Sequence, residues 1–171
     1  SDLAGNALFN NATGFNSIIT TRDVVSTYVY PNTLVVFEIN GRILKEYLEK
    51  CAEYFCIENG DIAVSKEYIY PKPAHFNYDM VDGVDYTIRV SNEKGKRITE
   101  LRYQGKDVKD DDIFTLSLNN YRASGGGNFF MFKDAKLVKE IQEDMVEVII
   151  EYLSKHKRVE VNHRDNIKVI I

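Results

Sequence analysis

The sequence predicts an α+β fold, a single domain of mixed β-sheets flanked by helices, and three observations predict it. VDYTIRV (84–90) and IFTLSL (113–118) alternate along the chain with the period of two that marks a strand. RILKEYLEKCAEYF (42–55) places apolar residues at helical spacing instead. Strands and helices then mix without the strict βαβ alternation of a parallel sheet. The 171 residues suit one domain with a proper core.

In chain order, Asn10 to Gly14 reads as loop and SIIT (17–20) as a short strand. Thr21 is placed to cap a short helix beginning at Arg22, with Asp23 favoured in its first turn by the helix dipole. That helix ends before Tyr30, because Pro31 drives the preceding residue towards extended geometry. TLVVFEI (33–39) is nearly continuous in apolar character, which predicts a strand buried on both faces. Asn40-Gly41 is read as a turn. The helix after it buries Ile43, Leu44, Tyr47, Leu48, Cys51, Ala52 and Phe55 and leaves Arg42, Lys45, Glu46, Glu49 and Lys50 outside the stripe. Residues 58–74 read as irregular and HFNYDM (75–80) as a strand. Asn92 to Gly95 is a hairpin turn that pairs 97–103 with 84–90. Gln104-Gly105-Lys106 is another turn. After 113–118 comes the glycine loop, then a helix at 135–141 capped by Asp134, a second helix at 144–155 with Met145, Ile149, Tyr152 and Leu153 inward, and short strands at VEV (159–161) and IKVII (167–171).

Composition narrows the function. The net charge of −4 and pI near 5.4 argue against a polyanion-binding surface, so DNA is not an expected partner, although one small phosphorylated ligand needs only a local site. No apolar run reaches membrane-span length. The opening SDLAGNALFNNATG carries no signal peptide and reads as an internal stretch of a longer protein. Cys51 and Cys56 are spaced poorly for a disulfide within a helix and are read as two thiols. His75, His156 and His163 show no metal-ligand spacing with them.

The usual catalytic constellations are missing. Ser124 in RASGG lacks the glycine that precedes the serine of a nucleophile elbow. The glycine run precedes neither the Lys-Ser/Thr of a phosphate loop nor the helix of a dinucleotide fingerprint. Asp110, Asp111 and Asp112 read as a solvated turn, and Asp79, Asp82 and Asp85 as at most a weak cation site, their spacing unlike an EF-hand. What remains is NNYRASGGGNFF (119–130). As a binding loop it offers the Tyr121 ring for stacking, the amides of Asn119 and Asn120, and close backbone approach at Gly125 to Gly127. As a plain turn it would hold Tyr121 in the core. The residues alone leave both readings open.

NNYRASGGGNF, YPNTLVVFEINGRILKEYLE and NYDMVDGVDYTIRVS, taken together, resemble the C-terminal domain of the 5′-nucleotidase family. The similarity runs from about Gly14 to about Ile141 and is greatest to the bifunctional 2′,3′-cyclic-nucleotide 2′-phosphodiesterase/3′-nucleotidase branch. Asn16 in Thr13-Gly14-Phe15-Asn16, where the 5′-nucleotidase members carry a phosphate-holding arginine, favours that branch over the 5′-nucleotidase/UDP-sugar hydrolase type. The resemblance implies a two-domain bacterial hydrolase outside the cytoplasm, whether periplasmic, secreted or wall-anchored. Its N-terminal metallophosphoesterase domain would hold two divalent metal ions. Its C-terminal domain would grip the nucleoside of adenosine, 3′-AMP or 2′,3′-cyclic nucleotides. On that basis Tyr30 and Tyr121 are the two rings that sandwich the base, Asn32 lies close to the base, and Tyr121, Arg122, Ala123, Ser124, Gly125 and Gly126 line the pocket. The resemblance implies no cofactor and no catalytic residue within this chain, which is expected to bind nucleotides without hydrolysing them. The competing expectations are a non-catalytic interaction module with a degenerate pocket and a free-standing enzyme.

Overall fold

The computed structural model describes residues 2–5, 18–156, 158–159 and 164–171. The expected loop at Asn10 to Gly14 and the Asn16 position lie outside them, as does most of the expected strand at 159–161, of which Val159 is described and lies outside any strand. The strands are β1 (Asp2–Gly5), β2 (Thr33–Asn40), β3 (Phe55–Glu58), β4 (Asp61–Val64), β5 (Val81–Asp82), β6 (Asp85–Arg89), β7 (Ile98–Tyr103), β8 (Lys106–Asp107), β9 (Ile113–Asn119), β10 (Lys136–Asp144) and β11 (Ile167–Ile170). The helices are α1 (Thr21–Thr27), α2 (Gly41–Ala52), α3 (Asn120–Ala123) and α4 (Met145–Lys155). One sheet has the order β10-β2-β9-β1-β5, a second β11-β6-β7-β8, and β3 and β4 form a hairpin of their own. Parallel pairs (β1 with β9, β11 with β6) stand among antiparallel ones, so the α+β class with mixed sheets is observed.

Helix α2 holds the two larger sheets together. It contacts β2 on one side and β7 on the other. Leu44, Tyr47, Leu48, Cys51 and Ala52 are each at most 1% exposed, as the helical stripe predicts. They share one core with Val35, Phe37 and Ile39 of β2, Phe114, Leu116 and Leu118 of β9, and Tyr86 and Ile88 of β6. The helix begins directly at the strand end: Asn40 is its cap, accepting from the Ile43 N–H at 2.9 Å, where a turn was expected. Phe55 belongs to β3, not to the helix. Glu49, expected outside the stripe, is buried because its carboxylate accepts the Arg97 and Ile98 N–H groups at 2.9 and 2.8 Å. Arg97 in turn donates to the Ala52 and Phe55 carbonyls at 2.9 and 2.7 Å, satisfying one acceptor at the end of α2 and one at the start of β3.

Other expectations need correction. Ile18 to Thr20 form no strand, and Thr20 rather than Thr21 caps α1, in a capping box with Asp23. Strand β2 buries Val35, Phe37 and Ile39 fully and leaves its other face half-buried. The stretch expected to be irregular contains the β3–β4 hairpin, turned by Asn59-Gly60 with both φ angles positive, at 54° and 90°. His75–Asn77 is a 3-10 turn, not a strand. The segment expected as a helix at 135–141 is strand β10. Its charges fit a helix surface equally well, but here they face solvent on an edge strand paired with β2, a device that protects an open edge. Helix α4 is capped by Asp144 and lies against α1, but none of its residues is fully buried and Tyr152 is 53% exposed. The cysteines form no disulfide with each other.

Tyrosines fill much of this interior. Burial above all raises the phenol pKa of Tyr47, Tyr68, Tyr78 and Tyr86 far above the ordinary value of 10.0. The unfolded chain ionises these phenols first. Their contribution is therefore complete below pH 10.0 and is lost as pH rises beyond it. Denaturant midpoints measured from pH 8 upward are expected to stay level to about pH 10 and then fall steadily.

Candidate functional site

The register of β2 against β9 places the candidate residues. Leu34 is paired with Asn119, so the chain entering β2 and the chain leaving β9 emerge at the same end of the sheet. Tyr30, Pro31 and Asn32 lie on the first, and Tyr121 to Gly126 on the second. The two are tied directly, since Asn120 Oδ1 accepts from the Thr33 N–H at 3.2 Å. Tyr30 is 46% and Tyr121 44% exposed. Neither ring lies in the core, where a plain turn would have held Tyr121. Asn32 is held in place by both ends: its carbonyl accepts from the Met145 N–H at 2.8 Å and its amide donates to the Tyr28 hydroxyl at 3.2 Å.

Asn119 caps the single turn α3, accepting from the Arg122 N–H at 2.8 Å. Ser124 turns its hydroxyl back onto the Tyr121 carbonyl at 3.0 Å, and Ala123 is half-buried behind it. The glycines serve the loop itself. The Gly125 and Gly126 N–H groups donate to the Arg122 and Tyr121 carbonyls at 3.0 and 2.9 Å. A Cβ on Gly126 would stand 2.6 Å from two atoms of the Tyr121 ring, so the ring rests on the bare backbone there. A Cβ on Gly127, whose φ is +72°, would meet Arg122 Nη1 at 2.4 Å and Asn77 Oδ1 at 2.5 Å. The clearance read from the sequence as room for a ligand is first of all room for Tyr121 and Arg122. Gly126→Ala is therefore expected to displace the Tyr121 ring and cost about 1–3 kcal/mol of stability. A urea titration of the variant beside the unaltered chain measures it.

Arg122 is 4% exposed. Its guanidinium makes a two-pronged pair with Asp79, Nε to Oδ2 at 2.6 Å and Nη2 to Oδ1 at 2.8 Å. Nη1 donates to the Gly126 carbonyl at 2.7 Å and Nη2 also to the Phe76 carbonyl at 3.2 Å. The plane lies 4.0 Å from the centre of the Phe129 ring. The Tyr47 hydroxyl donates to Asp79 Oδ2 at 2.7 Å, so this buried carboxylate is fully engaged. Burial alone would lower the Arg122 pKa, and the bonds and charge of Asp79 outweigh it and raise it. Phe76 completes the link to the other ring, its own ring centred 6.5 Å from that of Tyr30 at a tilt of 53°.

Asp79 therefore anchors a loop and is not part of a cation site with Asp82 and Asp85. Asp85 pairs with Arg164 at 2.9 Å, and Asp82 accepts from the Gly83 N–H. Among the described residues no group of three or more His, Cys, Asp or Glu side chains is placed to hold a metal ion. The two metal ions that the resemblance implies thus find no fitting donor set in the described part of this chain. Phe76, Asn77 and Phe129 are not singled out by the sequence, and Asp79 is singled out only as part of a weak cation site.

Comparison with known proteins identifies the family. The model of the 5′-nucleotidase C-terminal domain matches residues 3–134, which include Tyr30, Tyr121 and the Arg122–Asp79 pair. The chain is 32% identical over 154 residues to the trifunctional nucleotide phosphoesterase protein YfkN of Bacillus subtilis, covering 81% of this chain and 10% of that protein. It is 36% identical over 123 residues to the 2′,3′-cyclic-nucleotide 2′-phosphodiesterase/3′-nucleotidase of Salmonella typhimurium, covering 63% of this chain and 19% of the relative. A crystal structure from Staphylococcus aureus, assigned as a 5′-nucleotidase, superposes with a TM-score of 0.92 at 41% identity, covering 99% of this chain and 33% of that one. The chain thus spans a third or less of the length of these relatives. The matched model covers well over half of the chain, so it belongs to the 5′-nucleotidase C-terminal domain family.

Proposed function

We propose that this chain is the nucleoside-binding domain of a metal-dependent nucleotide phosphoesterase of the 2′,3′-cyclic-nucleotide 2′-phosphodiesterase/3′-nucleotidase type, with the base stacked between Tyr30 and Tyr121. The observation that carries the reading is the shared sheet end: two half-exposed tyrosine rings on adjacent strand termini, joined through Phe76 and Arg122. An aromatic face stacks on any base at about 1–3 kcal/mol per base, so two such rings on either side of a base would hold it between them. Asn32 is next to the first ring in sequence and offers an amide edge for hydrogen bonding to the base. Tyr121 to Gly126 form the opposite wall, in which Arg122 serves from within.

Adenosine, 3′-AMP and 2′,3′-cyclic nucleotides are the ligands this reading assigns. The catalytic partner is an N-terminal metallophosphoesterase domain of the same polypeptide, which would carry the two divalent metal ions and the hydrolytic step, outside the cytoplasm. The present chain contributes binding energy from the remote base, which holds the phosphate in place for that step. By itself it binds and does not hydrolyse. Titration calorimetry of the 171-residue chain with adenosine and 3′-AMP tests the reading. Saturable heat with both supports it. No heat with either at millimolar concentration, or phosphatase activity of the chain alone with added divalent metal, overturns it.

A further inference from the structure

Arg122 follows Tyr121 in the sequence but lies beneath it in the fold. All three of its guanidinium nitrogens donate to protein acceptors on two separate segments: Asp79 and the Phe76 carbonyl on one, the Gly126 carbonyl on the other. Its charge is met by Asp79 at 2.6 Å and it is 4% exposed, so it offers neither a free charge nor an accessible face to a phosphate. The three acceptors are not equivalent. Gly126 is the backbone on which the Tyr121 ring rests. Phe76 is the residue whose ring packs against Tyr30. Asp79 is fixed from the core side by Tyr47, itself fully buried in α2.

We propose that Arg122 is the positioning residue of the aromatic slot: one planar fork holds the Gly126 support of Tyr121 and the Phe76 support of Tyr30, and so sets the separation of the two rings. The functional part of this proposal rests on the nucleoside-binding reading, whereas its geometric part stands without it. A planar fork is required for the task. Lysine keeps the charge opposite Asp79 but, as a single point of donation, cannot span carbonyls on two different segments together with the carboxylate. Asn77 Oδ1, buried and without a hydrogen-bond partner, lies with Arg122 Nη1 against the bare Gly127 backbone, which leaves the fork little room to move.

The test uses the 171-residue chain labelled with 3-fluorotyrosine, with the fluorine resonances of Tyr30 and Tyr121 identified from Tyr30→Phe and Tyr121→Phe. In Arg122→Lys both resonances are expected to shift while that of Tyr103, on β7, holds still. A shift confined to Tyr121, the sequence neighbour, overturns the proposal, because a local disturbance would do the same. Tyr47→Phe, which removes one bond to the Asp79 oxygen that Arg122 shares, is the milder variant in case the lysine chain does not fold. It is expected to move both resonances, and a chain in which neither moves overturns the proposal. Affinity supplies the second readout. Arg122→Lys is expected to weaken adenosine and 3′-AMP by the same factor, on the order of tenfold. A loss with 3′-AMP well beyond that with adenosine would make Arg122 a phosphate ligand and overturn the positioning role. A wild-type chain that binds neither ligand overturns the nucleoside reading instead and leaves the resonances to decide the positioning claim.

Discussion

An Asp79→Ala chain is expected to lose about 3–5 kcal/mol of stability, the cost of leaving one member of a buried ion pair without its partner. At this chain length that corresponds to a melting point lower by about 6–20 °C. Arg122, 4% exposed beside Asp79, would be left with its charge unmatched, and the Tyr47 hydroxyl would lose its acceptor at the same time. The milder Tyr47→Phe removes one hydrogen bond to a charged group and is expected to cost about 1.5–3 kcal/mol. Urea unfolding of the two variants side by side gives the ordering. A loss of less than about 1 kcal/mol in Asp79→Ala would mean that the pair does not hold the loop to the core. The exposed pairs provide the contrast: Lys96 with Glu93, both largely in water, belongs to the class worth at most about 1 kcal/mol.

The largest expected effect on binding is that of Tyr121→Ala. Removing the ring should weaken adenosine binding by about 1–3 kcal/mol, on the order of 5- to 150-fold. Tyr121→Phe keeps the ring face and should change affinity by much less. Tyr121 is 44% exposed and its ring lies over Gly126, so its truncation opens no buried cavity and the fold should survive it. Calorimetry on the three chains separates these outcomes. Equal affinities in all three would show that the ring does not touch the base.

Much of the fold is legible in the residues wherever one face is buried and the other is not. The alternation of Val84, Tyr86, Ile88 and Val90, and of Phe114, Leu116 and Leu118, corresponds to buried positions in β6, β9 and the residues flanking β6. The stripe of α2 is equally plain. Legibility fails where burial is slight. Strand β10 has exposed residues almost throughout, so no period distinguishes it from a helix, and only pairing with β2 makes it a strand. Strand β1 is four residues long and owes its place to the β9 backbone beside it. Asn59-Gly60 is a hairpin signal of the strongest short-range kind and stands between two short apolar runs.

The candidate site divides along the same line. The aromatic loop stands out as residues and its glycines mark a close approach, while Tyr30 before β2 is named as its partner only by the family resemblance. What the glycines approach is not legible. Arg122, expected by resemblance to line the pocket, is buried because Asp79, forty-three positions earlier, completes it. A buried charge pair of that kind depends on the register of two strands and the path of the chain at 75–79, and neither is written in local pattern. Glu49 is the parallel case: its charge puts it outside the helical stripe, and the backbone N–H groups of Arg97 and of Ile98 at the start of β7 bring it in.

The central claim is that one base fits between Tyr30 and Tyr121. A crystal structure of the chain grown with adenosine tests it most directly. The account predicts the purine lying between the two tyrosine rings, with Asn32 at its edge and Arg122 still bound to Asp79, Phe76 and Gly126. A purine bound elsewhere on the chain, or the two rings closed against each other with no base between them, would contradict it.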